Sequence, residues 1–408
     1  MRLTFHRLIF WAHLSAGLIA GLVILSMAVS GLLIAYEVQF MDWANRDLRI
    51  SPPADNTGRL GIESLLTRAQ EIRSGQPPSA ITWKADPAAP ITLTFGRDGI
   101  HYLNAYTGKD LGHGAKVWHD FFHAATDWHR FLTQTGLERS VGKAITGAGT
   151  LLFGILLVSG IYLWWPRHWR LPNLCAALLF NPKLRGRARD WNWHNVIGFW
   201  SSFPMLLIIL SGLIMSYGWA NDLLFRLTGN EPPPPRSASP SIAAAPNTGE
   251  ALQAPPRGNR PRIESPALPL PVLTGLDDLV TQVQQTHPNW RSISLRMPQV
   301  PGGPFPLMVD RGGRGQPHLR TMLNLDLGKL AILSNPDDFQ QQNLGRRLRM
   351  YVRFLHTGEL FGFLGQTIAT LCTLAAILLV WTGFALAWRR FFARRRSGSS
   401  SLPPQRSD

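Results

Sequence analysis

The chain is poor in charge and in cysteine. Only 16% of its 408 residues are charged and two are cysteines, whereas 45% are hydrophobic. Soluble domains carry about 25% charged residues, so this composition excludes an ordinary cytosolic globular protein. Cys372 lies within a long apolar run and Cys175 lies between two such runs. Neither is placed to be half of a disulfide or of a CxxC site.

Acidic residues are also scarce. The 25 Asp and Glu residues oppose 41 Lys and Arg residues, which gives a formal net charge of +16. Nucleic acid is excluded as a partner, because most of the basic residues lie beside apolar runs and none forms a patch interleaved with aromatics. The chain lacks a glycine-rich nucleotide loop, a nucleophile elbow and an HExxH motif, which excludes the enzyme classes that depend on them.

Long apolar runs dominate the chain instead. A helix needs about 20 apolar residues to cross a bilayer, and four runs reach that length. They cover residues 12–36, 144–165, 196–217 and 360–388. They predict a mainly α, polytopic protein embedded in a lipid bilayer. The first run has the basic start of a signal peptide, but it is too long and lacks a small-residue cleavage site, so we expect it to be retained.

Basic residues beside these runs predict their orientation. The short loop between the second and third runs contains six Lys or Arg residues and a single acid, Asp190. Arg2 and Arg7 begin the chain, and five arginines open the tail after the fourth run. The positive-inside rule therefore places both termini and this loop in the cytoplasm. Two larger segments, 37–141 and 218–357, then lie on the outer side.

One basic cluster does not follow this rule. Arg346, Arg347, Arg349 and Arg353 crowd the outer approach to the fourth run. Two interpretations stay open. The cluster is either a stretch that faces solvent or lipid headgroups, or a site for an anionic ligand or for the acidic groups of a cofactor.

The apolar runs indicate an internal repeat. His13-Leu-Ser-Ala-Gly matches His194-Asn-Val-Ile-Gly at an offset of 181 residues, and Ser30-Gly-Leu then falls on Ser211-Gly-Leu. Arg130-Phe-Leu matches Arg353-Phe-Leu at an offset of 223. A Pro-rich stretch at 231–271 fits the extra length of the second outer segment and is typical of a flexible or extended linker.

The predicted fold is therefore a tandem repeat of a helix, a small outer α+β domain and a second helix. Each outer segment contains an amphipathic stretch typical of a short helix and alternating runs typical of strands, among them 91–95 and 292–297. The predicted segments are the start and first helix at 1–36, an outer domain at 37–128, the second helix with an outer extension at 129–166, a basic loop at 167–192, the third helix at 193–218, an outer domain at 219–354, the fourth helix at 355–389 and a basic tail at 390–408.

Four of the twelve histidines occupy membrane-proximal positions in this repeat. His13 and His194 are equivalent and lie at the cytoplasmic ends of the first and third runs. His129 and His356 precede the second and fourth runs, in the sequences HRFL and RFLH. Under the offset of 223 they differ by four positions, about one helical turn, so both can still face one point between the helices.

Paired imidazoles on facing helices are typical axial ligands of a low-spin haem iron. An ionisable side chain in hydrocarbon is costly unless it coordinates or pairs. Gly17 and Gly198 follow His13 and His194 by four residues and remove bulk on the same helical face, where a flat macrocycle could lie. One pair near each face of the membrane predicts two haem b groups and an electron path between them.

Other interpretations of the histidines stay open. A single histidine near a helix end is often an interfacial or capping residue. His119 and His123, spaced i and i+4, could replace or supplement His129 or form an outer metal site, although no carboxylate–histidine cluster with zinc spacing surrounds them. His123, Arg130 and Arg353 are therefore secondary candidates beside the four main histidines.

Several segments resemble the PepSY-associated transmembrane family. They are HLSAGLIAGL (13–22), WHRFL (128–132), WHNVIGFW (193–200), LSGLIMSYGWAN (210–221) and LHTGELFGFLGQ (355–366). NAYTGK and NLDLGK in the outer segments are similar to the turn of PepSY domains. The resemblance covers nearly the whole chain apart from the Pro-rich stretch and the tail. Ala12 departs from it, since relatives often have a bulkier residue before the first histidine.

The resemblance implies a bacterial inner-membrane protein, often iron-regulated. Some members of the family are haem-containing reductases that release iron from ferric siderophores in the periplasm. The family histidines fall on His13, His129, His194 and His356 of this chain.

The leading hypothesis is a dihaem oxidoreductase that passes electrons across the membrane to a ferric siderophore or another ferric chelate and so releases Fe(II). The electron donor would be a quinol or a cytoplasmic reductase. One alternative is a non-enzymatic membrane protein whose outer domains bind periplasmic partners and regulate, for example, a protease. Another alternative is a transporter or a transporter accessory.

Overall fold

The computed structural model describes residues 5–55, 57–72, 77–96, 99–132, 138–166, 171–233, 273–298, 300 and 302–392, without the side chains of residues 172, 173 and 176. The predicted Pro-rich insert lies outside the described residues from residue 234 onward. The basic tail from residue 393 and the loop arginines Arg167 and Arg170 also lie outside them.

The described chain is mainly helical and has one sheet. The helices are α1 (Phe5–Ile34), α2 (Glu37–Ala44), α3 (Ile62–Ile72), α4 (Lys116–Phe131), α5 (Glu138–Trp164), α6 (Leu171–Leu178), α7 (Gly186–Ser216), α8 (Gly218–Leu227), α9 (Leu276–Thr286), α10 (Leu344–Thr357) and α11 (Gly362–Phe391). The strands are β1 (Ala80–Lys84), β2 (Ile91–Thr94), β3 (Ile100–Leu103), β4 (Asp110–Gly112), β5 (Ser292–Arg296), β6 (Phe305–Asp310), β7 (Arg320–Asp326) and β8 (Ala331–Ser334).

Four of these helices, α1, α5, α7 and α11, are long and apolar enough to cross a membrane. Helix α1 packs against α5 and α11, and α7 packs against the same two helices, so α1 and α7 occupy opposite corners of a four-helix bundle. Large apolar side chains such as Ile19, Phe203 and Leu371 point outward and are exposed. Such a surface is stable in lipid rather than in water, as expected of a multi-pass membrane protein.

The centre of the bundle is apolar. Its buried residues are Ala28, Leu157, Met205, Ile209 and Ala376, which come from all four long helices. Small residues among them allow the helix backbones to approach closely, which is typical of packing between membrane helices.

The strands form one antiparallel sheet with the order β4-β3-β2-β1-β5-β6-β7-β8. The two outer segments that the sequence divides into separate small domains therefore share a single sheet. Strands β1 and β5 join its halves, with Ala80 opposite Arg296 and Lys84 opposite Ser292. Thr82 donates a hydrogen bond of 2.8 Å to Ser294 at the middle of this pairing.

Helices α3 and α9 cover one face of the sheet, and their apolar sides share a buried core with residues such as Ile81, Leu93 and Leu295. Each helix also caps the other. Asp277 of α9 accepts hydrogen bonds from the backbone N–H groups of Ile62 and Glu63, and Glu63 accepts them from those of Leu276 and Asp277. Free N–H groups at both helix starts are thus satisfied across the junction of the two halves.

Helices α4 and α10 return the chain from the sheet to the bundle. Both are amphipathic; α4 packs on α1 and α5, and α10 packs on α7 and α8. The predicted boundaries at 128/129 and 354/355 fall inside these helices, because each is a separate element that ends before the next long helix begins. The start of each following long helix lies close to the end of the preceding helix. A side chain at Gly142 would overlap the Phe131 carbonyl, and one at Gly365 would overlap the Gly358 carbonyl.

Candidate functional site

The four predicted histidines form two pairs inside the bundle. His13 of α1 and His194 of α7 have ring centroids 6.4 Å apart, and His129 of α4 and His356 of α10 have centroids 6.3 Å apart. We call the first the loop pair, because it lies at the end of the bundle that carries the 165–185 connection. We call the second the sheet pair. Each pair joins opposite corners of the molecule.

The loop pair is held by hydroxyl groups on the other two long helices. The Nδ1 atom of His13 lies 2.9 Å from Oγ of Ser159 in α5. The Nδ1 atom of His194 lies 2.9 Å from Oγ1 of Thr382 in α11. Ser159 and Thr382 are themselves 223 residues apart, which is the repeat offset of the second and fourth runs. The two histidines are therefore held in the same way.

The sheet pair is held by the helices that carry the loop pair. The Nδ1 atom of His129 lies 3.2 Å from Oγ of Ser30 and 2.8 Å from the carbonyl oxygen of Met27, both in α1. The Nδ1 atom of His356 lies 3.1 Å from Oγ of Ser211 and 3.0 Å from the carbonyl oxygen of Ile208, both in α7. Both anchors on α1 recur on α7 at the offset of 181.

These contacts decide which ring nitrogen carries the proton. A carbonyl oxygen only accepts, so Nδ1 of each sheet-pair histidine must be the donor. Each anchoring hydroxyl gives its one proton to the carbonyl four residues earlier in its own helix, as Thr382 does to Leu378. The hydroxyl oxygen can then only accept from the imidazole. All four rings therefore hold the proton on Nδ1, which leaves the lone pair of Nε2 for a ligand.

No described residue competes for that second nitrogen. Within the part of the chain that the structure describes, no hydrogen bond reaches Nε2 of any of the four histidines. A metal-bound histidine usually donates its other N–H to a carbonyl, hydroxyl or carboxylate group, which fixes the orientation of the ring. The four imidazoles have this arrangement.

A glycine follows each anchoring hydroxyl and packs on the imidazole that the hydroxyl holds. A Cβ atom added at Gly31 or Gly212 would lie 3.2 or 3.5 Å from Cε1 of His129 or His356. One added at Gly160 or Gly383 would lie 3.4 or 3.6 Å from Cε1 of His13 or His194. The absence of a side chain at these positions lets each ring lie flat against the helix backbone.

The glycines that the sequence singled out have different neighbours. A Cβ atom at Gly17 would meet Leu156 at 3.7 Å, and one at Gly198 would meet Leu379 at 3.6 Å. These are ordinary contacts between neighbouring helices. The glycines that pack against the imidazoles are those that follow the anchors, and the role of Gly17 and Gly198 in leaving room for a flat macrocycle stays a prediction.

The spacing of each pair fits two axial ligands on one metal. A ligating nitrogen lies about 2.0–2.1 Å from its metal, and the ring centre lies about 1.1 Å beyond it, so two opposed imidazoles would have centroids about 6.3 Å apart. The observed 6.4 and 6.3 Å agree with this value. The rings are inclined at 88° and 63°, and edge-to-face ring pairs have centroids about 4.5–7 Å apart, so the distance is compatible with a shared metal and does not by itself require one.

The secondary candidates are not members of the two imidazole pairs. His123 is exposed, and its Nδ1 atom lies 3.9 Å from Asp127, which forms a two-armed ion pair with Arg139. The Arg130 guanidinium lies over the Phe131 ring. Arg353 lies in α10, three residues before His356. Among the described residues, no group of three or more His, Cys, Asp or Glu side chains could hold a metal ion.

Sequence reasoning missed the four anchors, although a signal was present. Every long helix contains a Ser or Thr followed by Gly in its apolar run: Ser30-Gly31, Ser159-Gly160, Ser211-Gly212 and Thr382-Gly383. The hydroxyl accepts a hydrogen bond from the imidazole and the glycine leaves room for the ring. The dipeptide therefore indicates where a histidine from another helix packs. Its recurrence on all four runs was the available clue.

The segment between the pairs is insulating. His13 and Ser30 are separated by about 25 Å along α1, at 1.5 Å per residue. Across this depth the described helices contain no Asp, Glu, Lys, Arg or His, and their buried residues form the apolar centre of the bundle. Charged side chains and histidines of the described helices are thus confined to the two ends.

The chain matches a known protein family. The family model described as the PepSY-associated TM region matches residues 10–390 of the chain. The match includes both histidine pairs, all four anchors and the whole sheet. No curated protein matches the chain.

Proposed function

The chain belongs to the PepSY-associated transmembrane family, and on that premise we propose that it is a haem-containing oxidoreductase of a bacterial inner membrane. It would pass electrons across the membrane to a ferric siderophore or another ferric chelate on the periplasmic side and release Fe(II). Both termini would lie in the cytoplasm, and the donor would be a quinol or a cytoplasmic reductase.

The two histidine pairs support this function. Each brings two imidazoles from different helices to a centroid distance of 6.3 or 6.4 Å, and each Nδ1–H is held by an anchor, which leaves Nε2 for a ligand. His13 with His194 would hold one haem b, and His129 with His356 would hold the other. When bound in this way, haem iron alternates between Fe(III) and Fe(II) and supplies one-electron transfer.

The chain's own residues contribute position and insulation. The hydroxyl anchors fix the orientation of the imidazoles, and the glycines beside them keep the rings against the helix backbones. Between the two pairs the described helices contain no Asp, Glu, Lys, Arg or His, so this depth lacks the ionisable side chains that usually relay protons across a membrane. Reduction would release the metal because Fe(II) is a poorer partner than Fe(III) for hard oxygen ligands.

The test begins with the colour of the purified protein. Full-length protein in detergent should give a low-spin b-type spectrum, oxidised and dithionite-reduced, and a pyridine haemochrome assay should give about two haems per chain. Adding ferric citrate to the reduced protein should reoxidise it and produce Fe(II), detected with a ferrous-specific chelator. A colourless protein from haem-replete cells would contradict the proposal and favour the role of a regulator of periplasmic partners.

A further inference from the structure

The sheet has a second face, away from α3 and α9. Side chains alternate between the two faces of a strand. Ile293 and Leu295 of β5 are fully buried in the core under the helices, so Ser292, Ser294 and Arg296 share the other face. All three are partly exposed.

This face is turned toward the helices that lead into the bundle. Lys84 of β1 shares it, and its Nζ atom lies 3.5 Å from Asp42 in α2. Arg320 of β7 shares it as well, and its guanidinium lies over the ring of Phe354 in α10, two residues before His356. The face therefore lies on the same side of the sheet as the approach to the sheet pair.

Two arginines on this face differ in their partners. Arg320 forms an ion pair of 3.0 Å with the buried carboxylate of Asp310. Arg296 has no ion pair and no hydrogen-bond acceptor among the residues that the structure describes. Burial lowers the pKa of the Arg296 guanidinium, with no carboxylate nearby to oppose it. A partly buried cation without an anion is costly, so its retention needs a compensating ligand.

The surroundings of Arg296 are polar and regular. Arg296 and Lys84 occupy opposite ends of the β1–β5 pairing, because Ala80 lies opposite Arg296 and Lys84 lies opposite Ser292. The span between them is about four residues, or about 13 Å along the strands. The hydrogen-bonded hydroxyls of Thr82 and Ser294 lie midway. The Ser294 hydroxyl therefore lies next to Arg296 on this face, whereas Lys84, at the far end, is paired with Asp42.

We propose that Arg296, together with the hydroxyl of Ser294, binds an anionic, oxygen-rich ferric chelate on this face of the sheet. The inference rests on the proposed function for the identity of the ligand. A guanidinium binds a carboxylate through two parallel hydrogen bonds, and Ser294, whose oxygen accepts from Thr82, keeps its own hydroxyl proton for a further oxygen of the ligand. Arg296 would then be the main determinant of affinity for negatively charged chelates.

The test separates binding from electron transfer. Gallium(III) citrate resembles ferric citrate in charge and size but is not reduced, so its binding to the full-length protein can be measured by calorimetry whether or not haem is present. R296Q should weaken binding at least about tenfold, since a charge-assisted hydrogen bond contributes about 1.5–3 kcal/mol. R296K should retain part of the affinity. R291Q, which removes an exposed arginine just outside β5, should bind as the wild type does.

Several outcomes would overturn this site. Gallium citrate that binds R296Q as tightly as wild type, or that binds neither, would do so. An arginine-dependent response to inorganic phosphate or to anionic lipid vesicles, without a response to gallium citrate, would assign Arg296 to a phosphate group instead. Binding of gallium citrate to a colourless protein, lost in R296Q, would support the site and contradict the oxidoreductase. Elution in gel filtration, equal for all variants, verifies their folding.

Discussion

The loop pair and the sheet pair have the same kind of anchor, but their histidines belong to different kinds of helix. In the loop pair, the histidines belong to the long helices α1 and α7 and occupy equivalent repeat positions. In the sheet pair, they belong to the shorter helices α4 and α10, and they lie four residues apart in the repeat alignment. Their anchors, Ser30 and Ser211, are nevertheless equivalent, and the centroid spacing is the same to within 0.1 Å.

This difference shows which feature the fold holds constant. A Ser or Thr and the following Gly stay fixed on the long helices, whereas the helix that delivers the imidazole can be displaced by one turn. The position of each histidine ring is therefore set by the Ser/Thr-Gly pair that it contacts more than by the histidine's own place in the sequence. Sequence comparison of the histidines alone understates how alike the two pairs are.

Loss of one histidine should produce the largest effect. H194A and H356A should each remove one of the two proposed haems and leave the other, which lowers the haemochrome signal by about half. A redox titration should show that a different component is missing in each. H123A, which changes an exposed histidine, is the matched control. Full haem content in either pair variant would contradict the ligand assignment.

Removal of an anchoring hydroxyl should affect the two pairs alike. The sheet-pair rings keep a second acceptor in the carbonyls of Met27 and Ile208, and the loop-pair rings keep one in the carbonyls of Leu156 and Leu379. Loss of such a partner commonly costs about 10–100-fold in affinity of a metal site. Because a carbonyl acceptor remains in each case, T382V and S211A should weaken haem retention by similar factors, near the lower end of that range.

Haem retention against a competing apo-haemoprotein measures this effect, and the midpoint potential gives a second readout that a change in folding would not move selectively. A much larger loss in one variant than in the other would show that the two pairs are not held in the same way.

Filling the glycine surface should have a smaller effect. The Cβ atom of G31A would lie 3.2 Å from His129, closer than ordinary contact, so the ring must shift by a few tenths of an ångström. G218A at the start of α8 meets no atom within 4 Å and serves as the control. We expect G31A to change the low-spin spectrum of the sheet-pair component and G218A to leave the spectrum unchanged. An unaltered spectrum in both would mean that the rings have more room than the packing indicates.

Removal of one of the reciprocal helix caps between α3 and α9 should give the smallest effect. D277A removes the acceptor at the start of α3, a loss of about 1 kcal/mol, and should speed hydrogen exchange at Ile62 and Glu63 roughly fivefold. D277N keeps an acceptor oxygen and should have little effect near neutral pH. Neither variant should change the haem spectrum.

The same carboxyl predicts a pH dependence. Burial raises the pKa of Asp277 in the folded protein. A carboxyl whose pKa is higher in the folded than in the unfolded state favours folding while it is protonated. This contribution is present below the unfolded pKa and is lost as the pH rises through the folded pKa. The protection of α3, taken as the intrinsic exchange rate divided by the observed rate, should therefore fall over that pH range in the wild type and stay flat in D277N; equal profiles would contradict the assignment.

Local sequence patterns determined much of the fold. Four apolar runs predicted helices long enough to cross a membrane, and such helices are found at α1, α5, α7 and α11. Alternating patterns predicted strands at 91–95 and 292–297, close to β2 and β5. Both kinds of pattern depend only on the period of apolar residues along the chain, so a single sequence is enough to detect them. The match to the PepSY-associated transmembrane family confirmed the predicted family.

The tertiary structure decided which histidines, anchors and strands contact each other. His129 and His356 face each other because α4 and α10 dock at opposite corners of the bundle, and no local pattern fixes that docking. The hydroxyl anchors lie on helices 99 to 188 residues away from the rings they hold. The joining of two outer segments through β1 and β5 likewise depends on backbone hydrogen bonds between distant strands. The sequence determined which residue types were available and the period on which they recur; long-range packing decided which of them share a site, because contact between distant residues is set by the whole fold.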